Sequence, residues 1–119
     1  MDLGIKGKAA IVTGASRGIG RETARQFLEE GVRVTICGRN KETLVSSRAE
    51  LAKATGGEVH AIVADMTKED DIARLVESAK QRFGNVDILV NNAGQMYSGR
   101  FAVLNDAGLR EQLETKLFG

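Results

Sequence analysis

Three glycines near the start of the chain have a spacing that suits the binding of a bulky anion. Gly14, Gly18 and Gly20 follow the apolar run at residues 9–12 and open a helical pattern. Glycine lets a backbone approach a ligand closely, and the free N–H groups of a helix N-terminus attract negative charge. This segment, residues 14–20, is called the glycine turn below, and it predicts a pyrophosphate site. The alternative, a tight strand-to-helix turn that holds no ligand, fits the glycine spacing alone.

The side chains near the second predicted strand indicate which dinucleotide is held. A site for NAD has an acid about twenty residues after the glycine turn, where it holds the ribose 2′-hydroxyl. This chain has Gly38, Arg39 and Asn40 there instead, and Arg17 lies in the turn itself. Two guanidinium groups suit a 2′-phosphate, and one charge-assisted bond of about 1.5–3 kcal/mol gives roughly tenfold to hundredfold preference for NADP. The alternative is two solvated surface arginines.

Polar residues also follow the third and fourth predicted strands. Asp65 can accept a hydrogen bond from an adenine amino group, and the Met66 backbone can contact the edge of that ring; the alternative is that Asp65 simply begins a turn. The fourth strand is followed by two amides and two small residues, Asn91, Asn92, Ala93 and Gly94. These offer donors, acceptors and space beside a flat ligand. The alternative is an asparagine-rich loop cap.

Strand and helix patterns alternate four times, which predicts an α/β, doubly wound parallel sheet of Rossmann type. Strands are predicted at 8–13, 32–37, 59–64 and 86–90. The first predicted helix spans 20–30, the second runs from its cap Asn40 to the Gly56-Gly57 pair, and the third follows a capping box at 67–70 and ends at residue 83. Residues 95–101 are predicted to form a loop and residues 106–118 a last helix. The expected strand order is 3-2-1-4, and ligands of such sheets bind at the carboxyl ends of the strands.

Some residues are predicted to serve the fold rather than the site. Cys37 lies in an apolar strand and is expected to be a small core residue. His60 lies before the carboxyl end of its strand, has no evident partner, and is expected to face away from the site. The second helix has a thin apolar stripe that Ser46, Ser47 and Arg48 interrupt, so it is expected to be exposed.

Composition limits the class of protein. The chain has 119 residues, 42% hydrophobic and 28% charged, with a net charge of +1, so we expect one domain and neither nucleic acid nor an anionic membrane as partner. One cysteine excludes an internal disulfide and fits a reducing compartment. A signal-peptide pattern, an 18-residue apolar run and metal-ligand spacing are absent from the sequence. These features predict a cytoplasmic protein without a metal.

Together these residues resemble the short-chain dehydrogenase/reductase family. The matching motifs are Thr13-Gly14-x-x-x-Gly18-x-Gly20, Asp65, and Asn91-Asn92-Ala93-Gly94, in order and at family spacing, while Arg17 and Arg39 match its NADP-preferring members. The resemblance implies that NADP(H) binds to the glycine turn and to the segments that follow the second, third and fourth strands. The implied cofactor-binding residues are Gly14, Ser16, Arg17, Gly18, Ile19, Gly20, Arg39, Asn40, Asp65, Met66, Asn92, Ala93 and Gly94. It also implies that Thr13 ties the first strand to the fourth.

The chain departs from the family at the catalytic residues. Family members use a Tyr-x-x-x-Lys pair, with a serine upstream and a helical asparagine. Here the only tyrosine is Tyr97, four residues before Phe101, and the helical asparagine position falls near Lys116. The resemblance therefore implies that residues 1–119 form the N-terminal part of a larger single domain, truncated before strands five to seven and without catalytic residues.

Two functions follow from these patterns. The first is the cofactor-binding half of an NADP(H)-dependent oxidoreductase, inactive alone, whose full-length form transfers a hydride between nicotinamide and a small-molecule carbonyl or alcohol. The resemblance implies a homo-oligomer, a tetramer or dimer. The alternative is a non-catalytic nucleotide-binding or regulatory module of the same fold. A third hypothesis is a purely structural α/β module, which would not bind NADP.

Overall fold

The computed structural model describes residues 4–15 and 18–92, and in these residues four strands alternate with three helices. The elements, in chain order, are β1 Ala9–Thr13, α1 Gly18–Glu29, β2 Arg33–Gly38, α2 Lys41–Thr55, β3 Val59–Val63, α3 Glu69–Phe83 and β4 Ile88–Asn91. The predicted loop at 95–101 and helix at 106–118 lie outside these residues. No helix in the described residues has the length and apolar character needed to cross a membrane.

The four strands form one parallel sheet in the order β3-β2-β1-β4, as the sequence predicts. Thr13, the last residue of β1, is the register partner of Cys37 in β2 and of Asn91 in β4. In the same way Gly38, which ends β2, is paired with Val63, which ends β3. The segments that leave the carboxyl ends of all four strands therefore begin along one edge of the sheet.

Helices cover both faces of the sheet, and alternate residues of each strand pack against opposite faces. Ala10 and Val12 of β1 pack with residues of α1 and α2, whereas Ile11 packs with residues of α3. The α3 face is covered by the apolar stripe predicted for that helix, Ile72, Leu75, Val76, Ala79 and Phe83, all buried. Strand β1 is buried along its whole length, and four of its five residues are apolar, as expected for a strand covered on both faces.

The observed ends of the elements differ from the predicted ones by a few residues. The predicted second strand begins at Val32, but the Val32 amide donates to the Phe27 carbonyl and so completes the exit from α1. The predicted capping box before α3 does not form, since the Thr67 hydroxyl donates to Asp65 instead and Lys68 provides no side-chain cap. The Asn40 cap of α2 is confirmed: its side chain accepts from the Thr43 amide.

The prediction that α2 is exposed is wrong for one side of the helix. Leu44, Ser47 and Leu51 are buried against the sheet and α1. These positions are three and four residues apart, so they share one helix face. The serine does not interrupt the buried face, because its hydroxyl has a hydrogen-bond partner there.

Candidate cofactor-binding site

The glycine turn joins β1 to α1 at the edge where the strands end. Gly14 has a φ of 63°, which side chains other than glycine rarely adopt. A Cβ atom on Gly20 would lie 2.7 Å from the carbonyl carbon of Gly14, and closer still to its oxygen. Glycine at position 20 therefore lets the first turn of α1 pack directly on the backbone that leaves β1.

The start of α1 is open toward solvent and carries no opposing charge. A Cβ on Gly18 would meet no atom within 4 Å, and the Ile19 side chain is 79% exposed. The first turn of the helix contains no acidic residue, so its positive end is not neutralised by a carboxylate of that turn. These features fit a pyrophosphate group. Ser16 and Arg17, the other turn residues predicted to bind it, lie outside the described residues.

Thr13 connects β1 to the end of β4. Its buried hydroxyl donates to the side-chain oxygen of Asn91 at 2.8 Å and accepts from the Asn92 backbone amide at 2.9 Å. This confirms the tie that the resemblance implies. It also fixes where the segment after β4 leaves the sheet, next to the glycine turn. Ala93 and Gly94, which continue that segment, lie outside the described residues.

The end of β2 presents an exposed cation beside an open surface. Arg39 is exposed, and a Cβ on Gly38 would have only an ordinary contact, with the Leu44 side chain at 3.8 Å. The charge of Arg39 contributes to the lowered pKa of Asp65, so the ends of β2 and β3 act on each other electrostatically. Asn40 is engaged as the cap of α2, where its side-chain oxygen accepts from Thr43 at 3.0 Å.

Asp65 begins a turn after β3, and its carboxylate is held in one orientation. Its Oδ1 atom accepts from both the backbone amide and the hydroxyl of Thr67, at 2.9 and 2.6 Å. The Thr67 hydroxyl is the main cause of the lowered pKa of Asp65. The backbone amide of Asp65 donates to Asp71 at 2.8 Å. Asp65 thus begins a turn, as the alternative interpretation of the sequence predicts. That turn holds an ionised carboxylate at the edge of the sheet.

Met66 and Cys37 lie beneath this edge rather than on it. Met66 is buried, and its sulfur lies 4.0 Å from the sulfur of Cys37. The Cys37 side chain is 1% exposed, and burial raises the pKa of its thiol to about 12, against a smaller lowering by a hydrogen bond with the Gly14 backbone. A thiol that is buried and protonated at neutral pH is a poor nucleophile, so Cys37 is a core residue, as predicted.

His60 lies away from the site, in the body of β3, where it pairs in register with Thr35. The expectation that it has no partner is wrong, because its Nε2 atom lies 2.9 Å from the Ser78 hydroxyl of α3. Its ring also packs edge-to-face on Phe83, with 6.3 Å between ring centroids. Burial, together with the charges of Arg82 and Arg48, lowers the pKa of His60. These contacts join β3 to α3 and serve the fold.

Three supporting residues of the site are visible only in the structure. Thr67 and Asp71 hold Asp65, as described above, and the Ser47 hydroxyl donates to the Ala15 carbonyl in the glycine turn at 3.0 Å. Ser47 lies three residues after Leu44 and four before Leu51, on the apolar stripe of α2. A polar residue on such a stripe signals a buried hydrogen bond. Within 4–15 and 18–92, no three His, Cys, Asp or Glu side chains are grouped to hold a metal ion.

Comparisons with known proteins agree with this geometry. The family model for short chain dehydrogenase matches residues 8–119. Glucose 1-dehydrogenase of Gluconobacter oxydans is 47% identical over 88 residues, which are 74% of this chain and 33% of that protein. The L-sorbose reductase of Gluconobacter frateurii, solved with NADPH and L-sorbose, is 32% identical with a TM-score of 0.77, over 98% of this chain and 47% of that one.

A third similar structure carries the other dinucleotide. A xylitol dehydrogenase solved with NAD⁺ is 37% identical with a TM-score of 0.72, over 82% of this chain and 36% of that one. The chain spans less than half the length of each of these three relatives. The match to the family model over nearly the whole chain, together with the strand order and the glycine turn, shows that this chain belongs to the short-chain dehydrogenase family.

Proposed function

We propose that this chain supplies the NADP(H)-binding half of an oxidoreductase that transfers a hydride between nicotinamide and a carbonyl or alcohol. The nicotinamide supplies the hydride chemistry when bound, and the protein binds and orients it. The observation that carries the preference for NADP(H) is the exposed Arg39 at the end of β2, where an NAD site has an acid. The sorbose reductase solved with NADPH supports the same choice by similarity.

Each strand end has a separate role in this proposal. Gly14, Gly18 and Gly20 hold the pyrophosphate, since the backbone approach and the open helix start suit an anion. Arg39 binds the 2′-phosphate, and Asp65 accepts from the adenine amino group beside Met66. Asn92 lies at the ribose and nicotinamide side, where the Thr13 hydroxyl fixes its backbone amide.

The strand register supports a single site for these groups. Thr13 and Cys37 are partners, so the glycine turn and the segment with Arg39 leave neighbouring strands side by side. Asp65 follows the next strand, and the Arg39 charge acts on it. Ser16, Arg17, Ile19, Asn40, Ala93 and Gly94 complete the proposed set of cofactor contacts. Because Thr67 donates to Oδ1 of Asp65, the adenine amino group would donate to the other carboxylate oxygen, Oδ2.

The test is a charge change at Arg39. We expect Arg39→Ala to weaken NADPH binding about tenfold to hundredfold, since one charge-assisted bond to the 2′-phosphate is lost, and to change NADH binding by less than about threefold. Arg48→Ala is the matched control, because Arg48 is an exposed arginine on α2 that is not among the proposed cofactor contacts. Equal losses for NADPH and NADH with Arg39→Ala, or no loss at all, would refute the role of Arg39.

We also propose that the 119-residue chain binds nucleotide without turning over. The tyrosine-lysine pair of the family has no match in its sequence, since Phe101 stands four residues after Tyr97. NADPH oxidation in the presence of carbonyl substrates tests this directly. Carbonyl-dependent NADPH consumption by the purified chain would show that the proposal of inactivity is wrong.

A further inference from the structure

The Ser47 hydroxyl bonds to the backbone of a distant segment, unlike the hydroxyls of Thr23 and Thr55. A serine or threonine inside a helix usually donates to the carbonyl four residues earlier. Thr23 and Thr55 do so here, with Ile19 and Leu51 as acceptors. The Ser47 hydroxyl instead crosses to a segment 32 residues earlier, where it donates to the Ala15 carbonyl at 3.0 Å. Its side chain is 1% exposed.

The acceptor of this bond belongs to the glycine turn. Ala15 is completely buried and follows Gly14, whose carbonyl group lies against Gly20. A peptide unit is planar, so a hydrogen bond that holds the Ala15 carbonyl also fixes the orientation of the peptide bond that follows Ala15. Without Ser47 this buried carbonyl has no other hydrogen bond in the described residues, and a buried polar group without a partner is unfavourable. The turn would then relax toward other orientations.

The same helix carries the other half of the proposed site. The N-cap of α2 is Asn40, next to Arg39, and Leu44 packs at 3.8 Å from the position of a Cβ on Gly38. A second link from α2 to α1 is the ion pair of Arg21 with Glu50. Helix α2 therefore contacts the glycine turn through Ser47 and continues from the end of β2 at its N-terminus.

We propose that Ser47 is a positioning residue for the dinucleotide, which fixes the glycine turn in its binding conformation through the Ala15 carbonyl. The proposal rests on the proposed function, because it requires that the turn bind a pyrophosphate. Removing the hydroxyl leaves every ligand contact in place but loosens the turn that makes them. Affinity then falls because binding has to order the turn again.

This role predicts a specific pattern of affinities. The pyrophosphate is common to NADPH and NADH, so Ser47→Ala is expected to weaken both by the same factor, about tenfold. The ratio of the two affinities stays unchanged, in contrast to Arg39→Ala, which changes that ratio. Ser47→Thr keeps the hydroxyl and is expected to retain binding within about threefold of the wild type.

Ser46→Ala is the matched control. Ser46 is the preceding residue of α2, is exposed, and bonds only weakly, at 3.4 Å, to Glu50 of the same helix. Ser46→Ala and Ser47→Ala raise helix propensity by the same amount. The difference in affinity between these two variants therefore reports the hydrogen bond from Ser47 to Ala15. Ser46→Ala is expected to leave both affinities unchanged.

The experiment is calorimetric titration of NADPH and NADH into each 119-residue variant, with the folded fraction measured by circular dichroism. A purely structural role of Ser47 would lower the number of binding sites per chain, whereas the positioning role raises the dissociation constant at an unchanged number of sites. Should Ser47→Ala fail to fold, Ser47→Cys replaces it, since a thiol is a weaker donor; it is expected to weaken both ligands by about threefold.

Three outcomes would overturn the inference: wild-type affinity in the variant without the hydroxyl, fewer sites at an unchanged dissociation constant, or an equal loss with Ser46→Ala. A wild-type chain that binds neither dinucleotide would overturn the proposed function and this inference with it. If the wild-type chain binds the dinucleotides and Ser47→Ala binds them equally well, the inference about Ser47 is wrong but the proposed function stands.

Discussion

Gly20→Ala is a sharp test of the packing in the glycine turn. The new Cβ would lie 2.7 Å from the Gly14 carbonyl carbon and 3.3 Å from the Ala15 Cα atom. Carbon atoms pack best at about 3.5–4.0 Å, so the backbones must separate by roughly 1 Å. Both partners are backbone, and a change of side-chain rotamer cannot relieve the contact. The start of α1 must therefore move away from the end of β1.

The size of the effect follows from two opposing contributions. Overpacking of this kind costs about 3 kcal/mol, at the upper end of the usual range because backbone must move. Replacing glycine by alanine within a helix contributes about 1 kcal/mol in the opposite direction. The free energy of unfolding should therefore fall by about 2 kcal/mol, which lowers Tm by roughly 8 °C for a domain of this size.

Thermal unfolding followed by circular dichroism measures this change. Gly38→Ala is the control, because its Cβ would meet only the Leu44 side chain at 3.8 Å, an ordinary contact, so Tm is expected to stay within about 3 °C of the wild type. We also expect Gly20→Ala to abolish measurable NADPH binding, since the turn is displaced. A Tm at or above that of the wild type would show that helix propensity governs this position and that the close approach at Gly20 is not real.

Three further predictions concern the core and the Asp65 turn. Thr35→Val should raise the free energy of unfolding by about 1 kcal/mol in urea titrations, because Thr35 Oγ1 is the one buried side-chain polar atom in the described residues without a hydrogen-bond partner; a loss of stability would contradict this. Cys37 should resist iodoacetamide at pH 8 in the folded chain and react in urea, since burial raises its pKa to about 12; rapid labelling of the native protein would refute its burial. The pKa of Asp65 is lowered in the folded state, so its carboxylate stabilises the fold above the ordinary value of about 4 and loses that contribution as pH falls through the folded value. The Tm advantage of the wild type over Asp65→Asn should therefore shrink as the pH falls below about 4, and a gap that does not change with pH would be evidence against this.

The fold was predictable because its signals are local and repeated. Continuous apolar runs identify strands buried on both faces, and Asn40 and Gly84 mark helix ends that the structure retains. The strand order follows from right-handed crossovers. The glycine turn was predictable as well, since Gly14 and Gly20 are needed for backbone geometry that other residues do not reach.

The supporting contacts were not predictable, because they join residues that are distant in sequence or compete for the same atom. The apparent capping box before α3 fails because the Thr67 hydroxyl is already committed to Asp65. In the sequence Ser47 interrupts the apolar stripe, and only the tertiary structure provides its acceptor, Ala15. His60 has no partner within its own strand, and Ser78 reaches it from α3.

The preference for NADP(H) is the central claim of the proposed function, and titration of NADPH and NADH into the unmodified 119-residue chain tests it most directly. The exposed Arg39 at the end of β2 predicts NADPH binding at least about tenfold tighter than NADH binding. Equal affinities, or tighter binding of NADH, would contradict the claim.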